Sequence, residues 1–164
     1  MTQISEVMTR NVRSISPSES LQFAARTMRE LDVGAIPVCD GERLVGMVTD
    51  RDITLRGVAL GRPSDSTPVS EVMTGDVECC FEDEPLEEAT EKMELAQIRR
   101  LPVLDREHKL VGLLALGDIA AKADAAQAAE ALSRISEPAV PAQGGSIDEA
   151  EEDGGIGSTD ATRH

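Results

Sequence analysis

The sequence predicts an α+β fold made of two β-α-β-β-α repeats packed as a pseudo-twofold pair, and three observations carry that expectation. The chain repeats itself: "ISEVMT" at 4–9 returns as "VSEVMT" at 69–74, and "AIPV" at 35–38 returns as "RLPV" at 100–103. Beyond one inserted residue the match resumes, with Gly46, Asp52 and Ile53 answered by Gly112, Asp118 and Ile119. One extra residue at a turn tip leaves a duplicated framework unchanged. Finally, helical and strand periodicities alternate in the same order in both copies. A three-stranded unit cannot bury both faces of its sheet alone, whereas two such units face to face can.

Each element has its local reason. In the first copy a short entry strand is expected near "NVRSI". A helix follows in "SPSESLQFAARTMREL", with Ser16 or Ser18 as its cap and Leu21, Met28 and Leu31 at helical spacing. "GAIPVCD" is a short apolar strand that turns at Asp40–Gly41 and pairs with "RLVGMV". "TDRDITLRGVAL" starts a last helix, which the Gly, Pro and Ser of "GRPSDSTP" end. The second copy repeats the order: an entry strand near "DVECC", a helix in "EPLEEATEKMELAQ" capped by Asp83, strands "RRLPVLD" and "KLVGLLA", and a closing helix in "GDIAAKADAAQAAEALSRI". The repeats are thus placed at 1–65 and 66–136. Residues 137–164 hold seven Asp or Glu against one Arg, with too little apolar content to repay ordering, and are expected to form an acidic disordered tail.

Composition narrows the function classes. The net charge of −15 repels a phosphate backbone, so nucleic-acid binding is disfavoured. No apolar run reaches the roughly 18 residues of a membrane helix, and the start "MTQISEVMTR" lacks the pattern of a secretion signal, so a cytoplasmic location is expected. Cys39, Cys79 and Cys80 have no metal-type spacing and read as small buried hydrophobes in a reducing compartment, while Met8 and Met73 read as core fillers. The chain shows no nucleophile–base pair, no metal cluster and no paired carboxylates, so no catalytic or metal-binding residue is assigned.

The stretch "GMVTDRDI" ends a strand and opens a helix, and Thr49 with Asp52 three residues on admits two readings. One is a capping box, hydroxyl and carboxylate satisfying backbone amides reciprocally. The other is a nucleotide grip, in which free amides and a hydroxyl meet a phosphate and the carboxylate accepts from a ribose diol. In the second copy Ala115 replaces the threonine while Asp118 persists. A carboxylate retained without its capping partner points somewhat more towards a ligand or towards compensation of the helix dipole.

The order of V-M-T, h-P-V and G-h-h-T-x-x-D-h, duplicated, resembles the CBS domain, named from cystathionine β-synthase, over about residues 4–136. That resemblance implies an adenosine-ligand sensor with two clefts between the repeats, taking AMP, ADP, ATP or S-adenosylmethionine. It implies that Thr49 contacts phosphate and that Asp52 and Asp118 contact ribose. Ala35, Ile36 and Pro37, with Arg100, Leu101 and Pro102, would flank the adenine, and Arg51, Arg99 and Arg100 could supply local cations. It also implies a homodimer paired through helices. One complete and one weakened half-site then predict at most one well-formed nucleotide site per chain, in a regulatory module acting on an unknown partner. The competing expectation is a structural or stress-associated interaction protein whose clefts are empty.

Overall fold

A computed structural model of the chain describes residues 2–137, so the expected acidic tail, apart from Glu137, lies outside the described residues. The elements run β1 (Thr9–Arg10), α1 (Leu21–Leu31), β2 (Ala35–Asp40), β3 (Arg43–Thr49), α2 (Asp50–Asp52), β4 (Cys80–Phe81), α3 (Leu86–Ala96), β5 (Arg100–Leu104), β6 (Leu110–Ala115), α4 (Leu116–Lys122) and α5 (Ala125–Ile135). The α+β class and the pairing of two like units are as the sequence predicts.

The duplication holds in three dimensions. Helix α1 buries Leu21, Ala24, Thr27 and Met28, and α3 buries their counterparts Leu86, Ala89, Thr90 and Met93. The two buried threonines satisfy their hydroxyls on the carbonyls of Phe23 and Leu86, four residues back. Both helices end in a left-handed residue, Asp32 and Gln97, each at φ 54°. The hairpins share a register: Ala35 faces Thr49 in one, Arg100 faces Ala115 in the other, and each bulges at Val38/Cys39 or Val103/Leu104. The inserted residue falls at the second hairpin tip, where His108 takes the left-handed φ of 64° that Gly41 takes in the first.

What joins the halves is an exchange. Segment 4–10 of the first repeat packs into the second unit: Ile4, Val7 and Met8 share a core with Cys80, Leu86, Leu101 and Ile119. Strand β1 pairs with β6, giving a sheet in the order β1-β6-β5-β4. Reciprocally, Val69 and Val72 of the second repeat sit in the core of Ile15, Leu21, Ile36 and Val48, and Thr74 bridges Met47 of β3. The two cores remain separate clusters, so the mutual burial is achieved by crossing segments. Full burial of one such side chain is worth about 1.5–3 kcal/mol, so removing two or three of them would erase much of a typical domain's roughly 5–15 kcal/mol.

Four local expectations need correction. Helix α1 is capped by Ser20, whose Oγ accepts from the Phe23 amide at 3.1 Å, because Ser16 and Ser18 are held in the preceding turn by each other at 2.9 Å. Asp83 does not cap α3. It accepts from Arg106 Nε at 2.9 Å, and Pro85 occupies the cap position. The long closing helix is two helices: Asp124, extended at φ −144°, accepts from the amides of Ala126 and Gln127 and restarts the helix as α5. In the first repeat, α2 passes into a π-helical segment, Ile53–Gly57, and a 3-10 turn, Val58–Leu60, before Gly61 stops it at φ 69°. Among the described residues no helix is long and apolar enough to cross a membrane.

Candidate functional site

The exchange builds a cleft. Segment 74–78, leaving the first unit's sheet for the second unit, forms one wall with Thr74, Asp76, Val77 and Glu78. The first unit adds Ala35, Met47 and Thr49 from its hairpin, and the second adds Ala96, Ile98, Arg99, Arg100 and Pro102. The cleft volume is about 560 Å³, within the roughly 300–1,000 Å³ of small-molecule sites. Two arginines and two acidic residues therefore line one largely apolar cavity.

The Thr49–Asp52 pair forms the reciprocal box. Thr49 Oγ1 accepts from the Asp52 amide at 3.0 Å, and Asp52 Oδ2 accepts from the Thr49 amide at 3.0 Å. The hydroxyl still has its own proton to donate into the cleft, since accepting from an amide does not consume it. The amides at this helix start are already engaged, contrary to the expectation that they are free for a phosphate. Asp50 N donates to the Gly34 carbonyl at 3.0 Å, Arg51 N to Asp50 Oδ1 at 2.9 Å, and Asp52 N to Thr49. An anion here must be met by the hydroxyl and by arginines.

In the second copy Asp118 keeps its half of the arrangement: Oδ2 accepts from the Ala115 amide at 3.0 Å, and Oδ1 lies 3.8 Å from Lys122 Nζ. Its persistence without a hydroxyl partner is thus met by backbone capping, because the carboxylate's bond is independent of the hydroxyl's.

Of the residues singled out in the sequence, Thr49, Ala35, Arg99, Arg100 and Pro102 meet at the cleft. Pro37 is buried in β2 opposite Met47. Ile36 and Leu101, 1% and 0% exposed, turn their side chains into the two cores, as alternation along a strand requires of neighbours of cleft-facing residues. Asp52 and Asp118, half-buried beside their caps, and Arg51, exposed on α2, all lie outside the cavity lining. Sequence reasoning missed Met47, Thr74, Asp76, Val77, Glu78, Ala96 and Ile98. The repeated V-M-T was the available signal, since it ends where the crossing wall begins.

The thiols are set apart from this chemistry. Burial pushes the Cys80 thiol up to about 12, against the opposing pull of Lys92, and it also raises Cys39 and Cys79. Among the described residues no three His, Cys, Asp or Glu side chains gather where they could hold a metal ion.

The CBS domain family matches this chain twice, over residues 4–57 and 69–125. The CBS domain-containing protein YhcV of Bacillus subtilis is 44% identical over 137 residues, spanning 83% of this chain and 96% of YhcV. The structure of Hypoxic Response Protein I with two coordinated zinc ions is similar at 36% identity and a TM-score of 0.68, covering 73% of this chain and 98% of that one. CBSX2 in complex with AMP is similar at 28% identity and a TM-score of 0.64, covering 74% and 95%. The CBS pair of protein MJ0100 in complex with 5-methylthioadenosine and S-adenosyl-L-methionine is similar at 26% identity and a TM-score of 0.65, covering 73% and 98%. With two family matches, a duplicated fold and a cleft between the halves, this chain belongs to the CBS-domain family and is a tandem CBS pair.

Proposed function

We propose that the chain is a non-catalytic regulatory module that senses an adenosine ligand, AMP, ADP, ATP or S-adenosylmethionine, in the cleft lined by Thr49. The observation that carries this reading is the convergence of the Thr49 hydroxyl, Arg99 and Arg100 on one cavity between the halves. In this reading Thr49 and the arginines meet phosphate, Asp52 turns its remaining oxygen to the ribose, and Ala35 and Pro102 flank the base. Asp118 serves the equivalent cleft, weakened by Ala115, so one ligand binds per chain. The AMP and S-adenosylmethionine complexes of the similar pairs support the ligand class. Binding acts by favouring one disposition of the halves, read by a partner protein. The three free cysteines suit a reducing cytoplasm. Exposed Leu55, Val58 and Leu60, at 49%, 68% and 65%, suit a homodimer contact through helical surface.

A second reading is favoured by Asp76 and Glu78, whose carboxylates in the cleft wall oppose an anion. It makes the chain a structural or stress-associated interaction protein with empty clefts. Titration calorimetry with AMP, ATP and S-adenosylmethionine separates the two. The first reading expects saturable heat at one ligand per chain, abolished in Asp52→Ala. No heat for any of the three at millimolar concentration selects the second.

A further inference from the structure

A second cavity, of about 520 Å³, shares Arg99 and Arg100 with the cleft. Its floor comes from α4 and α5, where Leu116, Ala128 and Ala129 leave a trough and Leu132 stands 41% exposed at the edge. Both arginines are exposed, and among the described residues neither has a carboxylate partner, although ten other ion pairs form. The groove is therefore an apolar channel ending in two cations, within an acidic protein.

The chain continues from α5 with a segment of the complementary kind. "SIDEAEED" at 146–153 sets Ile147 immediately before five carboxylates in six residues. Ten residues lie between Glu137 and Asp148, and the eleven steps reach up to about 36 Å at roughly 3.3 Å per residue. Helix α5, with 11 residues, is only about 16 Å long. A chain leaving its C-terminal end has ample length to double back along the groove, and closing so short a loop costs little.

We propose that the groove seats this C-terminal segment of the same chain, with Ile147 on the alanine floor and the carboxylates of residues 148–153 against Arg99 and Arg100. Tethering holds the segment at an effective concentration in the millimolar range. Because the same two arginines line the cleft, the seated segment competes with a phosphate-bearing ligand. The competition rests on the nucleotide reading, whereas the seating does not.

The test compares the full chain with a full-length variant carrying Asp148→Asn, Glu149→Gln, Glu151→Gln, Glu152→Gln and Asp153→Asn. Methyl resonances of Leu116, Ala128, Ala129 and Leu132 should differ between the two at about 0.05 M salt and converge at about 0.5 M, where the attraction is screened. Superimposable spectra at low salt overturn the seating. A difference that fades on tenfold dilution assigns the groove to a neighbouring copy and also overturns it. Calorimetry with AMP should find the neutralised variant binding about three- to tenfold tighter. Equal affinities beside differing spectra overturn the competition, and heat from neither protein beside differing spectra sinks the nucleotide reading while the seating stands.

Discussion

Replacing Gly46 with alanine tests the exchange at its tightest point. A Cβ there would stand 2.6 Å from the Thr74 carbonyl oxygen and 2.9 Å from Met73 Sδ. The sulfur could swing aside, but the carbonyl is backbone, and moving it breaks the reciprocal bonds between Met47 and Thr74 at 3.0 and 2.9 Å. Two such bonds contribute about 0.5–1.5 kcal/mol each, and overpacking costs about 1–3 kcal/mol. The sum is about 2–6 kcal/mol. At about 2–4 °C per kcal/mol for a chain of this size, the midpoint should fall by roughly 4–24 °C. Gly117→Ala is the control: it lies within α4 with nothing inside 4 Å of its Cβ, so it should raise stability by about 0.5–1 kcal/mol. Thermal unfolding followed by circular dichroism reads both. A Gly46→Ala midpoint within about 2 °C of wild type would refute the claim that this crossing is a close-packed junction.

Three further outcomes are expected. Ala115→Thr should add about 0.5–1.5 kcal/mol of stability, because the backbone at Ala115, φ −109° and ψ 150°, already matches Thr49 at −115° and 161°; calorimetry should then find a second AMP per chain. Asp118→Ala removes the bond to the Ala115 amide and should cost about 0.5–2 kcal/mol in urea unfolding. Because the Cys80 thiol is raised from 9.0 to about 12, its folded form resists losing the proton that the unfolded form gives up, so this contribution to stability is intact below pH 9 and lost as pH rises towards 12; unfolding from pH 8 to 11 should show a decline that Cys80→Ala lessens.

The fold was legible because the repeat fixes the order of elements and the periodicity fixes their type. Helices α1 and α3, both hairpins and the stop at Gly61 follow from apolar spacing and turn residues that act locally. What escaped was non-local or a contest between near neighbours. Ser20 prevails over Ser16 and Ser18 because it alone is extended directly before Leu21. Asp124 divides a run of alanines because its carboxylate offers the backbone two bonds that a continuous helix would forgo. The exchange of 4–10 and 69–74 is invisible in a self-comparison, since either copy of the same phrase would suit either core. For the same reason half of the cleft was missed: Thr49 and Arg100 carry a motif, whereas Asp76 and Glu78 face the cavity only because Thr74 is pinned to Met47 in the other unit.

That pinning also locates the compliance of the molecule. Val72 is fixed in the first core and Cys80 in the second, both 0% exposed, and the cleft wall is the chain between them. The cores themselves are closely filled and respond little to a weak force. Across the halves the first unit's sheet meets the second repeat through the Met47–Thr74 bridge, and the hairpin tips meet through the Arg43–Lys109 bridge, where the Leu110 amide donates to the Glu42 carbonyl. A molecule that bears on Thr49 from one side and on Arg100 or Glu78 from the other loads these junctions before it loads either core. Its effect on the angle between the halves is then bounded by the difference in its affinity for the two dispositions. Of these three residues, Arg100 is the most sensitive control point, because it lines both the cleft and the groove beside α5, as Thr49 and Glu78 do not, and does so from the start of a strand.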